Sequence, residues 1–293
     1  MHNFLISSDI DGTLIDHHNY SFDAALPALE RCQSLGVPII LNTSKTYQET
    51  LTIQEKLGIK APIIVENGSA LFFPKALDIN SDDSVINNSL IDNTHSATEV
   101  KVFGVERLKV LDFIQSIRKS KKWQLEGFND WSAQDIAKKT GLSLEAAEQA
   151  SLKLFSEPFI WHDTEAALSE FILLARHKNL KVLKGGRFYH LQGDTDKAKP
   201  LNWLMQNLHK MFKLEPKRNI KSTTRLICLG DSHNDIAMLN IADIPICVRS
   251  PVTDYPSLST DKDIIYTNSF GPAGWCESIL TILQNEEQQQ LKW

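Results

Sequence analysis

The stretch FLISSDIDGTL, residues 4–14, decides how the rest of the chain is read. It opens as a short, largely apolar run that ends on a carboxylate, the pattern of a buried parallel strand. Asp9 and Asp11 are two residues apart, so both point to one side where the strand leaves its sheet. Gly12 permits the tight turn that follows. In open α/β sheets the carboxyl ends of parallel strands are where ligands bind.

Working outward, residues 21–35 carry helical periodicity and stop at Gly36, a C-cap signal. VPIILNTS, residues 37–44, reads as a second strand. Thr46 and Glu49 form a capping-box pattern for a helix ending near Gly58, and APIIVENG, residues 61–68, is a third strand. Strand–helix–strand–helix–strand predicts an α/β fold with a doubly wound parallel sheet. Residues 78–98 are rich in Asp, Asn and Ser and read as a loop or hairpin.

From Val100 to about Leu191 the order changes. A strand-like KVFGV is followed by helices opening at Ser132 with Asp135, at Ser143, and at Asp163 and Thr164, flanked by short strands FILLAR, residues 171–176, and RFYHLQG, residues 187–193. The α/β rhythm resumes with an amphipathic helix over residues 197–212, a buried strand TRLICLGD, residues 224–231, a helix from about Asn234 and a strand IPICV, residues 244–248. The expected organisation is a core of residues 1–84 and 192–293 around an inserted α+β domain of residues 85–191. The polar tail QNEEQQQLKW is expected to fray or to extend the last helix.

The 293 residues suit two domains, and 42% hydrophobic with 23% charged residues is ordinary for a globular enzyme. A formal net charge of −5 gives no broad footprint for nucleic acid or an anionic membrane. IRKSKK, residues 117–122, reads as a solvated helix face. The N-terminus lacks a signal-peptide pattern, and no run approaches the length of about 18 apolar residues that a membrane span needs. Cys32, Cys228, Cys247 and Cys276 form no CxxC pair, which favours reduced thiols and a cytoplasmic location. A monomer or a homodimer is expected.

The strand ending in GDSHND repeats the arrangement of the first, so Asp9, Asp11, Asp231 and Asp235 converge on one crevice. Carboxylates packed together repel unless a cation sits among them, and hard oxygen donors without a Cys/His cluster select Mg²⁺ over Zn²⁺. Each motif alone is equally a turn or a helix cap. A calcium loop is excluded for DIDG because the required later Asp/Asn and terminal Glu are missing. Thr43, Ser44 and Lys45 precede a helix N-terminus, which favours phosphate oxygens, and Lys197 supplies a positive charge at the start of another helix. Exposed lysines and capping hydroxyls are also common for structural reasons alone.

In order, DIDGTL, NTSK, the Lys of DKAKPL, and GDSHND resemble the four motifs of the haloacid dehalogenase superfamily. The insertion resembles the large α+β cap of its sugar-phosphatase branch. LNTSKTYQE, FSEPFIW and GGRFYHLQG are similar to the mannosyl-3-phosphoglycerate phosphatase family, as is Ser-Lys after Thr43 where generic sugar phosphatases carry Gly-Arg. Ala198 departs from the glycine commoner in relatives.

The resemblance implies a phosphatase in which Asp9 is the nucleophile and Asp11 the general acid and base. Mg²⁺ would be held by Asp9, the Asp11 carbonyl and Asp231, with Asp235 orienting its waters or adding a ligand. Thr43 and Lys197 would bind the phosphoryl oxygens. Ser44, Lys45, Asn67, Gly68 and Asn234 would line the substrate crevice. Arg187 would take the glycerate carboxylate, although spacing alone fits a surface arginine equally. Glu157 would either bind sugar hydroxyls or end a helix before Pro158. His233 occupies a variable position of its motif and is not assigned to metal. A glucosyl-3-phosphoglycerate or other sugar-phosphate phosphatase, a phosphomannomutase and an inactive sugar-phosphate sensor are the rival readings.

Overall fold

The computed structural model describes residues 4–74, 99–185, 187–211 and 224–290. The expected loop over residues 78–98 lies outside them. Strand β1 (Phe4–Ser8) sits inside an eight-stranded sheet, with parallel ladders to β10 (Arg225–Gly230) on one side and β2 (Ile39–Asn42) on the other. The order continues through β3 (Ile63–Val65), β4 (Ala70–Phe73) and β5 (Glu99–Val102) at one edge, and β11 (Ile244–Arg249) and β12 (Ile265–Phe270) at the other. Strands β12 to β3 run parallel, and β4 and β5 close the edge antiparallel. The chain thus winds outward from β1 to one side, returns at β10 and winds to the other. That switch point places the carboxyl ends of β1, β2 and β10 side by side.

Every residue of β1 is buried because helices cover both faces. Phe4 and Ile6 pack towards α1 (Leu26–Leu35) and α9 (Gly271–Gln290), whereas Leu5 packs towards α7 (Ala198–Met211) and α8 (Ile236–Ile241). The serines obey the same alternation. Ser8 accepts from the indole of fully buried Trp275 at 3.0 Å, and Ser7 donates to Met238 sulfur at 3.2 Å. A large buried aromatic of this kind contributes about 3–5 kcal/mol.

A separate antiparallel sheet is ordered β6 (Leu125–Gly127), β7 (Ser156–Trp161), β9 (Tyr189–Gly193), β8 (Leu180–Lys184). Phe113 of α3 (Arg107–Lys121) and Phe171 of α6 (Glu165–Arg176) share its apolar core with Phe159. Two short helices, α4 (Ala133–Thr140) and α5 (Leu144–Ser151), carry the expected caps at Ser132 and Ser143.

The apolar run FILLAR is not a strand. The Thr164 hydroxyl accepts from Ala167 N–H, and Leu168, Phe171 and Ala175 are buried at helical spacing, so the cap and the period override the run of apolar residues. KVFGV does start as a strand, but β5 pairs with β4 in the larger sheet although it lies within residues 85–191. The chain leaves that sheet after Val102. The antiparallel β4 and edge strand β12 were not anticipated, and residues 284–290 of the polar tail extend the last helix, α9, the second of the two outcomes expected for it. Among the described residues no helix is long and apolar enough to cross a membrane, and all four cysteines are free and buried.

Candidate active site

At the carboxyl end of β1 the chain folds back on itself, with the amides of Leu14 and Ile15 both donating to the Ile10 carbonyl. Gly12 holds φ +73°, and a Cβ there would stand 2.7 Å from Asp231 Oδ2. Only glycine meets both demands, so the turn brings the backbone against the second acidic loop. Beyond β10 the carboxylate of Asp235 accepts from the amides of Asp231 at 3.2 Å and Ser232 at 3.0 Å, which fixes that loop.

Lys197 enters from the start of α7, where Asp196 caps the helix by accepting from Ala198 and Lys199 N–H. Its carbonyl accepts from the Asn42 amide at 2.9 Å. The fully buried ammonium reaches Asp9 Oδ1 at 2.5 Å and Asp235 Oδ1 at 2.6 Å. Burial works against that ammonium, but the Asp235 and Asp9 carboxylates outweigh it and raise its pKa. Lys197 engages Asp9 through Oδ1 and not through Oδ2.

Oxygens of Asp9, Asp231 and Asp235 lie within 4.8 Å of one another. Burial, reinforced by Asp235, Asp231 and Asp11 and opposed by Lys197, holds Asp9 well above the usual carboxylate range. Burial and the Asp235 carboxylate push Asp231 up to about 7. Three buried carboxylates against one ammonium leave two negative charges, which one divalent cation would neutralise. Both Asp235 oxygens already accept hydrogen bonds, so Asp9 and Asp231 are the better donors to an ion. The all-oxygen set suits a hard cation.

The Asp11 side chain stays apart from this triad. Its Oδ2 meets Lys45 Nζ at 2.9 Å, while Oδ1 is shielded without a partner. Burial alone would lower the pKa of Lys45, but Asp11 and Glu49 more than reverse that. Lys45 follows Thr43 and Ser44, ahead of α2 (Tyr47–Leu57), and the Thr46–Glu49 capping box forms as expected. Thr43 is buried, and its carbonyl accepts from Asn67 N–H at 2.9 Å.

The haloacid dehalogenase-like hydrolase profile matches residues 6–140. A protein of Persephonella marina named glucosyl-3-phosphoglycerate/mannosyl-3-phosphoglycerate phosphatase is 37% identical, covering 97% of this chain and 98% of its own. A protein of the same name from Methanococcoides burtonii is 33% identical over 95% of this chain and 97% of its own. The chain belongs to the haloacid dehalogenase-like hydrolases. The hydrolase is a phosphoric monoester hydrolase with the α/β fold of that family. A solved haloacid dehalogenase-like hydrolase from Bacteroides thetaiotaomicron superposes with a TM-score of 0.60 at 17% identity, covering 96% of this chain and all of the other (100%), a likeness of fold.

Most of the site residues expected in the hydrolase do come together. Asn67, in a left-handed conformation with φ +55°, accepts at Oδ1 from Asn234 at 3.1 Å, joining the third-strand loop to the GDSHND loop. Gly68 has φ +83°, and a Cβ there would collide with the Asp196 carbonyl, so it seats the start of α7. The Ser44 carbonyl accepts from Lys153 Nζ at 2.9 Å. His233 is exposed.

Two expected residues are occupied elsewhere. Glu157 lies within β7 rather than at a helix end, is 1% exposed, and is bound by Arg107 at 2.6 Å and by Asn129 N–H at 2.7 Å. Arg187 donates to the Lys139 and Thr140 carbonyls at 3.1 and 2.8 Å, closing the C-terminus of α4. Sequence reading also missed Glu66. Fully buried at φ +46°, its carboxylate accepts from Leu154 N–H, Phe155 N–H and the Ser156 hydroxyl at 2.8, 3.2 and 2.5 Å. It clasps the larger-sheet loops to the chain entering β7. A charged residue between two buried strand signals in IVENG was the available clue.

Proposed function

We propose that this hydrolase is a Mg²⁺-dependent phosphatase of 2-O-(α-mannosyl)-3-phosphoglycerate, with the glucosyl ester as a second substrate of the same site. The names of the two curated relatives support the substrate class. The observation that carries the chemistry is the buried Lys197 bridge between Asp9 and Asp235, with Asp11 two residues from the nucleophile.

Asp9 Oδ2 attacks phosphorus as the ester P–O bond breaks, and Asp11 delivers a proton to the departing sugar-acid oxygen. The aspartyl-phosphate is then cleaved by water, whose proton returns to Asp11 as Asp9 leaves. Lys197 binds a phosphoryl oxygen and orients Asp9, while Thr43 and neighbouring amides bind the remaining oxygens. Mg²⁺ held by Asp9, Asp231 and the Asp11 carbonyl would supply charge neutralisation, with Asp235 fixing the loop around it. Asn67, Gly68, Asn234, Ser44 and Lys45 would line the substrate side. The smaller sheet with α3 to α6, corresponding to the expected inserted domain of residues 85–191, would act as a cap excluding bulk water. Cytoplasmic work on a small metabolite fits the four free cysteines.

The test is phosphate release from mannosyl- and glucosyl-3-phosphoglycerate and from simple hexose phosphates, with Mg²⁺ and with EDTA. Mg²⁺-dependent preference for the glycosyl phosphoglycerates supports the proposal. Broad hexose phosphate release discards the substrate, and no release from any ester discards the enzyme reading in favour of a sensor.

A further inference from the structure

Lys153 lies between α5 and β7 and is only 8% exposed, yet among the described residues it has no carboxylate within ion-pair distance. Its Nζ donates to the carbonyl of Ser44. The other buried ammonium groups of the site are matched, Lys197 by Asp9 and Asp235 and Lys45 by Asp11. Removing an ammonium from water without a counter-ion is costly, and an anion received beside it would offset that cost.

Its position says which anion. Ser44 directly follows Thr43, so the ammonium stands at the rim of the phosphoryl site, on the side of the smaller sheet. Nearby His190 has a shielded Nδ1 without a partner. Burial pushes that imidazole down to about 3, with the Lys153 ammonium adding to the shift, so it is neutral and the positive charge belongs to Lys153. In a 3-phosphoglycerate ester one carbon separates the carboxyl carbon from the phosphorylated carbon. A phosphoryl group at Thr43 therefore brings the carboxylate close to this rim. Arg187, the residue the sequence suggested for the task, is held by the carbonyls of α4.

We propose that Lys153 binds the glycerate carboxylate of the substrate and is the residue that selects phosphoglycerate esters over carboxylate-free phosphomonoesters. This inference rests on the substrate class proposed above. Lys153 is a binding residue, and its Ser44 contact aims the ammonium while leaving two donors for the carboxylate.

The experiment compares the Mg²⁺-loaded full chain on 3-phosphoglycerate and glycerol 3-phosphate, which differ only in carboxylate against hydroxymethyl. The ratio of kcat/KM for the two is read in the wild type, Lys153→Met, Lys153→Gln and Lys153→Arg. A wild-type ratio favouring the carboxylate, falling about 10- to 100-fold in Lys153→Met and Lys153→Gln mainly through KM and largely kept in Lys153→Arg, is expected. A purely structural lysine would lower both esters together. A ratio near unity in the wild type, or one unmoved by both neutral variants, overturns the proposal. Mannosyl-3-phosphoglycerate turnover is measured alongside. Its absence with the discrimination intact would remove the glycosyl substrate and leave Lys153 in its role.

Discussion

The two sheets of this hydrolase treat charge in opposite ways. At the carboxyl edge of the larger sheet, Asp9, Asp231 and Asp235 crowd around one lysine and leave excess negative charge buried. In the smaller sheet Glu157 is neutralised by Arg107, and Arg187 caps a helix. Uncompensated charge thus gathers at the candidate active site, while paired charge serves architecture. Lys153 is the exception on the smaller-sheet side, and its ammonium meets the carbonyl of Ser44, next to Thr43.

The strongest way to break this contrast is Asp9→Asn. Turnover should fall by about 10⁴-fold or more with the fold kept, because the substitution removes the proposed nucleophile and one member of a repelling cluster. Phosphate release read beside thermal unfolding checks it, and substantial residual activity would remove Asp9 from its role.

Next comes the pH dependence of stability without metal. Asp231 is pushed up to about 7 in the folded protein, against about 3.9 unfolded, so the folded state binds more protons between those values. In EDTA, stability should therefore decline as pH rises from about 4 through 7, and Mg²⁺ should restore it most at the upper end. Unfolding midpoints across that range with and without Mg²⁺ decide the matter, and a flat EDTA curve would contradict it.

Glu66→Ala sharpens the boundary between the two sheets. Losing an acceptor for Leu154, Phe155 and Ser156 should cost about 3 kcal/mol in denaturant unfolding and leave those amides open to hydrogen exchange. Unchanged protection there would mean the clasp is not holding the sheets together. Arg187→Ala should have the smallest effect, with about 0.5 kcal/mol of stability lost at the end of α4 and kcat/KM within about twofold. A large rise in KM would return Arg187 to the substrate and argue against the role given to Lys153.

The acidic strand ends and caps of the candidate site were legible because their residues are tied to local signals. Asp9 and Asp11 flank a strand end, Thr46 and Glu49 cap a helix, and Gly12 fills a left-handed turn. The surroundings of the expected substrate-side residues were not. Arg187 follows glycines and looks free to bind, but its partners are carbonyls 47 and 48 residues away in sequence. FILLAR looked like a strand because a short apolar run has no intrinsic period, although the Thr164 cap marks the start of the helix it belongs to, which packs against Phe113 and Phe159.

The sequence by itself determined the α/β order, the caps and the acidic strand ends, since each depends on residues a few positions apart. Tertiary structure decided which charges are paired. Whether a buried carboxylate or ammonium meets an opposite charge depends on strands and loops distant in the chain, as when Lys197 meets Asp9 across 188 positions and Lys153, among the described residues, meets the carbonyl of Ser44 and no carboxylate.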